Sequence, residues 1–96
     1  MKHWQLSPKF VWRDLSDGGA FVVNTEDGGY LVLNATAARF LALVSRRMDL
    51  SAIIAEFEQT YALPEAKLRD DLVGIAAQLE QVGVITSEGE PDVPST

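Results

Sequence analysis

The 96-residue chain has no cysteine and a single histidine, His3. Without cysteine it cannot form a disulfide framework, a thiolate metal site or a cysteine nucleophile. His3 stands in an N-terminal segment that we expect to be mobile, and no second histidine completes a metal site or a triad. Asp70 and Asp71 are adjacent carboxylates, but neighbours on a helix point about 100° apart and so indicate a solvated face. The sequence therefore predicts a non-enzymatic protein without metal or cofactor.

Basic residues and long apolar runs are also scarce. Eight basic against 14 acidic residues give a net charge of −6, which repels phosphate backbones. No stretch approaches the roughly 20 apolar residues of a membrane span, and the N-terminus lacks the apolar stretch of a signal peptide. We therefore expect a cytoplasmic protein that binds neither nucleic acid nor a membrane.

The composition is otherwise that of one folded domain, with 47% hydrophobic and 23% charged residues. Only the last ten residues depart from it, because they hold two prolines, three acidic residues and one large aliphatic residue. Such a segment cannot bury enough surface to offset its ordering entropy. The sequence predicts a domain at residues 1–86 and a disordered, acidic, proline-containing tail at 87–96.

Two glycine pairs, Gly18-Gly19 and Gly28-Gly29, divide the first third of the chain. The intervening segments 9–15, 20–25 and 30–33 are rich in aromatic and β-branched residues, which favour strands. Neither glycine pair precedes the Lys-Ser/Thr of a phosphate-binding loop, so both are interpreted as hairpin turns. The result is an antiparallel three-stranded meander.

Helical periodicity follows the meander. Asn34 is a good N-cap for a first helix that runs to about Arg47, and Ser51 stands at the start of a second. Pro64 opens a third helix, which ends at Gly83 before a brief extended segment at 84–86. We predict an α+β fold, winged helix-turn-helix-like, with a three-stranded antiparallel sheet followed by three helices.

The third predicted strand is apolar at all four positions, although an edge strand with one solvated face should alternate. Val73 and Ala77 similarly lie beside the apolar stripe of the third helix, which includes Val82. These residues are either ordinary half-exposed positions or the walls of a groove. Such a groove would accept an extended peptide as an added strand.

Four segments of the chain resemble the PqqD-like family, also called RiPP recognition elements. They are the strand-to-helix stretch 30–43, which contains the family's LN-x-T-A junction, the opening 7–12, the second helix at 50–57 and the closing helix and strand at 79–85. The likeness covers nearly the whole chain outside the tail. Among stand-alone members, the chain is most similar to the recognition proteins of lasso-peptide biosynthesis.

This resemblance implies a peptide-binding protein that recognises the leader segment of a ribosomally made precursor. It delivers that leader to a modifying enzyme or to a separate cysteine-protease-type leader peptidase. The leader is expected to add antiparallel to the third strand and to lie against the third helix. The implied peptide-binding residues are Tyr30, Leu31, Val32 and Leu33 on the strand and Arg69, Leu72, Val73 and Ala76 on the helix.

Two other functions compete with leader binding. A winged-helix DNA-binding transcriptional regulator would use the third helix for recognition, but Lys67 and Arg69 are offset there by three carboxylates. An adaptor subunit would instead use the apolar strand to dock a folded protein. The sequence does not separate the adaptor from a leader-binding protein.

Overall fold

Most of the described chain is strand or helix. The computed structural model describes residues 3–88. The strands are β1 His3–Leu6, β2 Phe10–Asp14, β3 Ala20–Asn24, β4 Tyr30–Leu33 and β5 Ile85–Glu88, and the helices are α1 Ala35–Ser45, α2 Leu50–Thr60 and α3 Glu65–Gln81. The predicted α+β class, with a three-stranded antiparallel sheet followed by three helices, is confirmed.

The predicted meander is the antiparallel sheet β2-β3-β4. Its two turns place Gly18 at φ 94° and Gly28 at φ 77°, in the left-handed region that glycine adopts without a Cβ penalty. In each turn an aspartate, Asp17 or Asp27, accepts a hydrogen bond from the backbone N–H two residues further on. Local turn chemistry therefore fixes the order of these three strands.

His3 stands in a strand, so the expectation that its segment is mobile is wrong for residues 3–6. β1 pairs antiparallel with β5, with Trp4 opposite Ser87 and Leu6 opposite Ile85. β5 includes residues 87 and 88, which the sequence predicts to belong to the disordered tail. The rest of that predicted tail, residues 89–96, lies outside the described residues. His3 is half-buried within β1.

Trp4 anchors this second sheet to the helices. Its side chain is only 3% exposed, and its ring meets Phe40 of α1 edge-on at 5.2 Å between centroids. Its indole Nε1 donates a hydrogen bond to Glu80 of α3 at 3.0 Å. A buried indole normally finds such a partner, and here the bond ties β1 to the last turn of α3.

Side-chain caps set the starts of the first two helices. Asn34 accepts a hydrogen bond from the backbone N–H of Ala37, as its position in the sequence predicts. α2 begins at Leu50, because Asp49 and not Ser51 supplies the cap by accepting from Ala52 at 2.9 Å. Each cap stabilises its helix by about 1 kcal/mol.

The core lies between the two sheets and the three helices. It contains no buried polar or charged side chain within residues 3–88. No helix in that part of the chain has the length and hydropathy needed to cross a bilayer. The largest fully buried side chains are Phe40, Phe57, Leu41, Ile53, Leu72, Ile85, Val22 and Val84.

Candidate functional site

β4 is an edge strand with one unpaired side. It pairs with β3 along the register Val23–Tyr30 to Ala20–Leu33, and no other strand within residues 3–88 adjoins it. An unpaired edge presents a row of backbone donors and acceptors that can template another strand. β4 carries no charged residue and no proline to discourage such pairing.

The ladder determines which backbone groups point to the open side. The backbone N–H of Asn24 donates to the carbonyl of Gly29 at 2.7 Å, so this pair, next to Val23–Tyr30, is hydrogen-bonded. Hydrogen-bonded and non-hydrogen-bonded pairs alternate along an antiparallel ladder. The backbone N–H and C=O groups of Tyr30 and Val32 therefore face away from β3, toward the open edge.

The side chains of β4 alternate between the two faces of the sheet. Leu33 is buried and Leu31 is half-buried, and both pack with the core. Tyr30 and Val32 point outward and are 67% and 61% exposed. Leu31 and Leu33 are apolar because they face the core. Tyr30 and Val32 are apolar as well, although they lie on the face that solvent reaches.

The end of α3 approaches the start of β4. Val82, the C-cap residue of α3, lines a pocket of about 210 Å³ together with Tyr30, Leu31 and Phe10. A cavity of about 150 Å³ admits a benzene ring, so this pocket has room for one peptide side chain. Asp27 is the only charged residue in its lining. We call the open edge of β4 and this pocket the β4 cleft.

The helix residues expected to face β4 do not line this pocket. Leu72 and Ala76 are buried in the core, so they offer no surface to a ligand. Arg69 is exposed and ion-paired with Glu65 at 3.1 Å. Val73 is 44% exposed but is not part of the cleft. None of these four positions lines the pocket beside β4, and their contact with a peptide stays a prediction.

Helix geometry places Val73 away from the β4 cleft. Val73 and Val82 are separated by about two and a half turns at 3.6 residues per turn, so they lie on opposite flanks of α3. Glu80 is about two turns from Val73 and shares its flank, and Glu80 contacts Trp4 of β1. The flank of Val73 therefore faces the β1 side, and the flank of Val82 faces β4.

Val82 is the site residue that sequence reasoning missed. Helical spacing places it in the core stripe of the third helix, whereas it is 53% exposed in the structure. The available signal is its place just before Gly83, whose φ of 85° ends the helix. An aliphatic residue at the end of a helix need not pack in the core and can line an adjacent pocket.

The charges on α3 do not suit a DNA-recognition helix. Lys67 is ion-paired with Asp71 at 3.5 Å, and Arg69 with Glu65. Both basic side chains that could approach phosphates are therefore neutralised along the helix itself. Together with the net charge of −6, this arrangement disfavours the regulator alternative.

Metal-binding groups do not converge in the described region. Among residues 3–88 no three His, Asp or Glu side chains lie close enough to hold a metal ion. Asp70 and Asp71 are both exposed on α3, as expected for a solvated face. The β4 cleft, built mainly from apolar side chains and backbone polar groups, is suited to binding an extended chain.

Comparison with known proteins gives one family and two similar structures. The family described as "Coenzyme PQQ synthesis protein D (PqqD)" matches residues 19–85. A comparison with curated protein sequences gives no match.

One similar structure is "TbiB1 in Complex with the TbiA(beta) Leader Peptide", with a TM-score of 0.79 and 19% identity over 92% of this chain and 99% of that one. The other is "Lasso peptide synthetase B1 complexed with the leader peptide", with a TM-score of 0.79 and 17% identity over 88% of this chain and 98% of that one. At such low identity these structures show a shared fold.

Proposed function

Since the chain belongs to the PqqD family, we propose that it is a non-catalytic protein that binds the leader segment of a ribosomally synthesised precursor peptide. The leader adds as an antiparallel strand to the open edge of β4. Main-chain hydrogen bonds supply affinity in this mode of binding, and side-chain pockets supply selectivity. The family match and the shared fold with two leader-bound proteins support this proposal.

The observation that carries the proposal is the β4 cleft. The outward N–H and C=O groups of Tyr30 and Val32 can form a ladder with a peptide. The pocket between Tyr30, Leu31 and Val82 can take one apolar side chain of that peptide. Backbone ladder and pocket together match what strand addition requires.

The other edge of the sheet is a poorer site. β2 is also an edge strand, but Arg13 and Asp14 place charges on it, which is how natural edges resist pairing. A pocket of about 320 Å³ joins Asp14 at the end of β2 to Ala38, Arg39 and Ala42 of α1, but its two charged side chains suit an apolar peptide side chain less well than the β4 cleft does. The peptide is therefore assigned to β4.

The bound leader is delivered to a separate enzyme. We assign the chain to lasso-peptide biosynthesis in the cytoplasm, with a cysteine-protease-type leader peptidase or another modifying enzyme as its partner. The support is the likeness to lasso peptide synthetase B1, which covers 98% of that protein.

The test is a titration of the protein with fluorescently labelled leaders of lasso-peptide precursors, including the TbiA(beta) leader. We expect at least one leader to bind with 1:1 stoichiometry. Val32→Pro should then weaken binding about two- to tenfold, because it removes one donor to the peptide, a loss of about 0.5–1.5 kcal/mol. The β3 ladder should survive, since the N–H of Val32 faces the open edge.

Asp14→Pro is the matched control. Leu15 donates to the carbonyl of Gly19, so by the same alternation the N–H of Asp14 points to the open edge of β2. This variant should bind the leader as the parent does, and circular dichroism should show both variants folded. Weaker leader binding by Asp14→Pro, with unchanged binding by Val32→Pro, would indicate that the peptide pairs with β2 and not with β4. A panel in which no leader binds would refute leader binding.

A further inference from the structure

The outward face of the β2-β3-β4 sheet is apolar and exposed. The register aligns Val11, Val23 and Tyr30 in one row across the three strands, and Arg13, Phe21 and Val32 in the next. These six side chains share one face because side chains alternate along each strand. We call this surface the outer sheet face.

Three of its residues are among the most exposed large apolar side chains of the described chain. Tyr30 and Val32 are joined by Val11, which is 54% exposed. Phe21 and Tyr30 pack together with 5.2 Å between ring centroids, and a depression lies over Val11, Phe21 and Val23. Single exposed apolar residues are common, but a contiguous patch of five marks an interaction surface.

Arg13 is the only charged side chain of the outer sheet face. It is exposed, and like Arg46 and Arg47 it forms no ion pair within residues 3–88. An isolated guanidinium on an apolar surface selects a carboxylate in a partner, with which it can form a bidentate contact. The face is therefore complementary to an apolar protein surface that carries one acidic group.

The outer sheet face is continuous with the β4 cleft, because Tyr30 and Val32 belong to both. A peptide strand added to β4 would send every second side chain to this same face. A protein bound there would contact the sheet and the bound peptide together. A second copy of the chain suits the face less well, because each copy brings a charge of −6 and its own Arg13.

On the basis of the proposed function, we infer that the outer sheet face docks the enzyme that processes the bound peptide. The enzyme contributes an apolar surface with a carboxylate opposite Arg13. Peptide capture and enzyme recruitment then use adjacent surfaces of one sheet. The enzyme recognises the domain best when the added strand has widened the face.

Val11→Asp and Arg13→Glu test this docking surface. Both residues lie on β2, two strands from the open edge of β4, so neither touches the peptide. Arg13→Glu changes an exposed side chain and keeps the test valid if Val11→Asp fails to fold. Val73→Asp is the matched control, because it places the same charge on an exposed valine of α3.

Two quantities are measured for each variant. One is the dissociation constant of the labelled leader, and the other is the domain concentration that gives half-maximal cleavage by the purified leader peptidase of the same biosynthetic system. We expect leader affinity within about twofold of the parent and a rise of at least about tenfold in the half-maximal concentration for both β2 variants. Val73→Asp should change neither quantity.

The two readouts separate this inference from the proposed function. If the parent binds no leader, leader binding itself is wrong. If the leader binds but the half-maximal concentration is unchanged in both β2 variants, or the parent domain does not stimulate cleavage, the outer sheet face is not the docking surface.

Discussion

Val82→Asp and Val73→Asp form a matched pair that tests which flank of α3 belongs to the peptide site. Both residues are exposed valines of the same helix or its cap, at 53% and 44%. Only Val82 lines the β4 cleft. The same substitution should therefore weaken leader binding at one position and leave it unchanged at the other.

The expected magnitude follows from the exposure of Val82. Full burial of a valine side chain is worth about 1.5–3 kcal/mol, so a residue already half-buried contributes roughly 1 kcal/mol when a peptide covers it. Aspartate loses that contribution and adds about 1–2 kcal/mol for a carboxylate desolvated without a partner. The sum of about 2–3 kcal/mol corresponds to a roughly 30- to 150-fold rise in the dissociation constant.

The assay is fluorescence anisotropy with a labelled leader, together with the free energy of unfolding of each variant. An aspartate near a helix C-terminus opposes the macrodipole and costs about 0.3–1 kcal/mol of stability, which must be measured separately from binding. Val82→Thr has nearly the shape of valine and no charge, and should weaken binding only a few-fold.

A folded Val82→Asp variant that bound the leader as tightly as the parent would show that Val82 lies outside the peptide site. A larger loss at Val73 than at Val82 would place the peptide on the β1 side of α3 instead. Equal losses at both positions would indicate an effect on the fold, and the unfolding data would show it.

The further predictions concern the stability of four variants. Trp4→Phe should lower the free energy of unfolding by about 1–3 kcal/mol, because it removes the hydrogen bond to Glu80 and part of a buried ring, and Glu80→Gln should cost less in the same urea titration. Gly19→Ala should destabilise by about 1–3 kcal/mol, since its Cβ would overlap the carbonyl oxygen of Leu33. By contrast, a Cβ at Gly74 on α3 would meet nothing within 4 Å, so Gly74→Ala should stabilise by about 0.5–1 kcal/mol. A rise in melting temperature for both glycine variants would contradict the close approach of Gly19 to Leu33.

The sequence determined the elements whose signals are local. The glycine pairs at 18–19 and 28–29, the cap at Asn34 and the stop at Gly83 act within a few residues, so they predict β2 to β4, the start of α1 and the end of α3. The apolar run of β4 likewise identified the strand of the candidate site. These predictions hold because turn and cap chemistry needs no distant partner.

Only the tertiary structure decided the pairing of β1 with β5 and the orientation of α3. The two strands come from opposite ends of the described chain. The sequence pattern of a four-residue strand such as His3–Leu6 is too short to predict which strand it pairs with. Helical spacing shows that Val73 shares a flank with Glu80, but the rotation of α3 against the sheet is set by packing. That rotation turns Val82 toward β4, because the core buries the stripe between the two flanks.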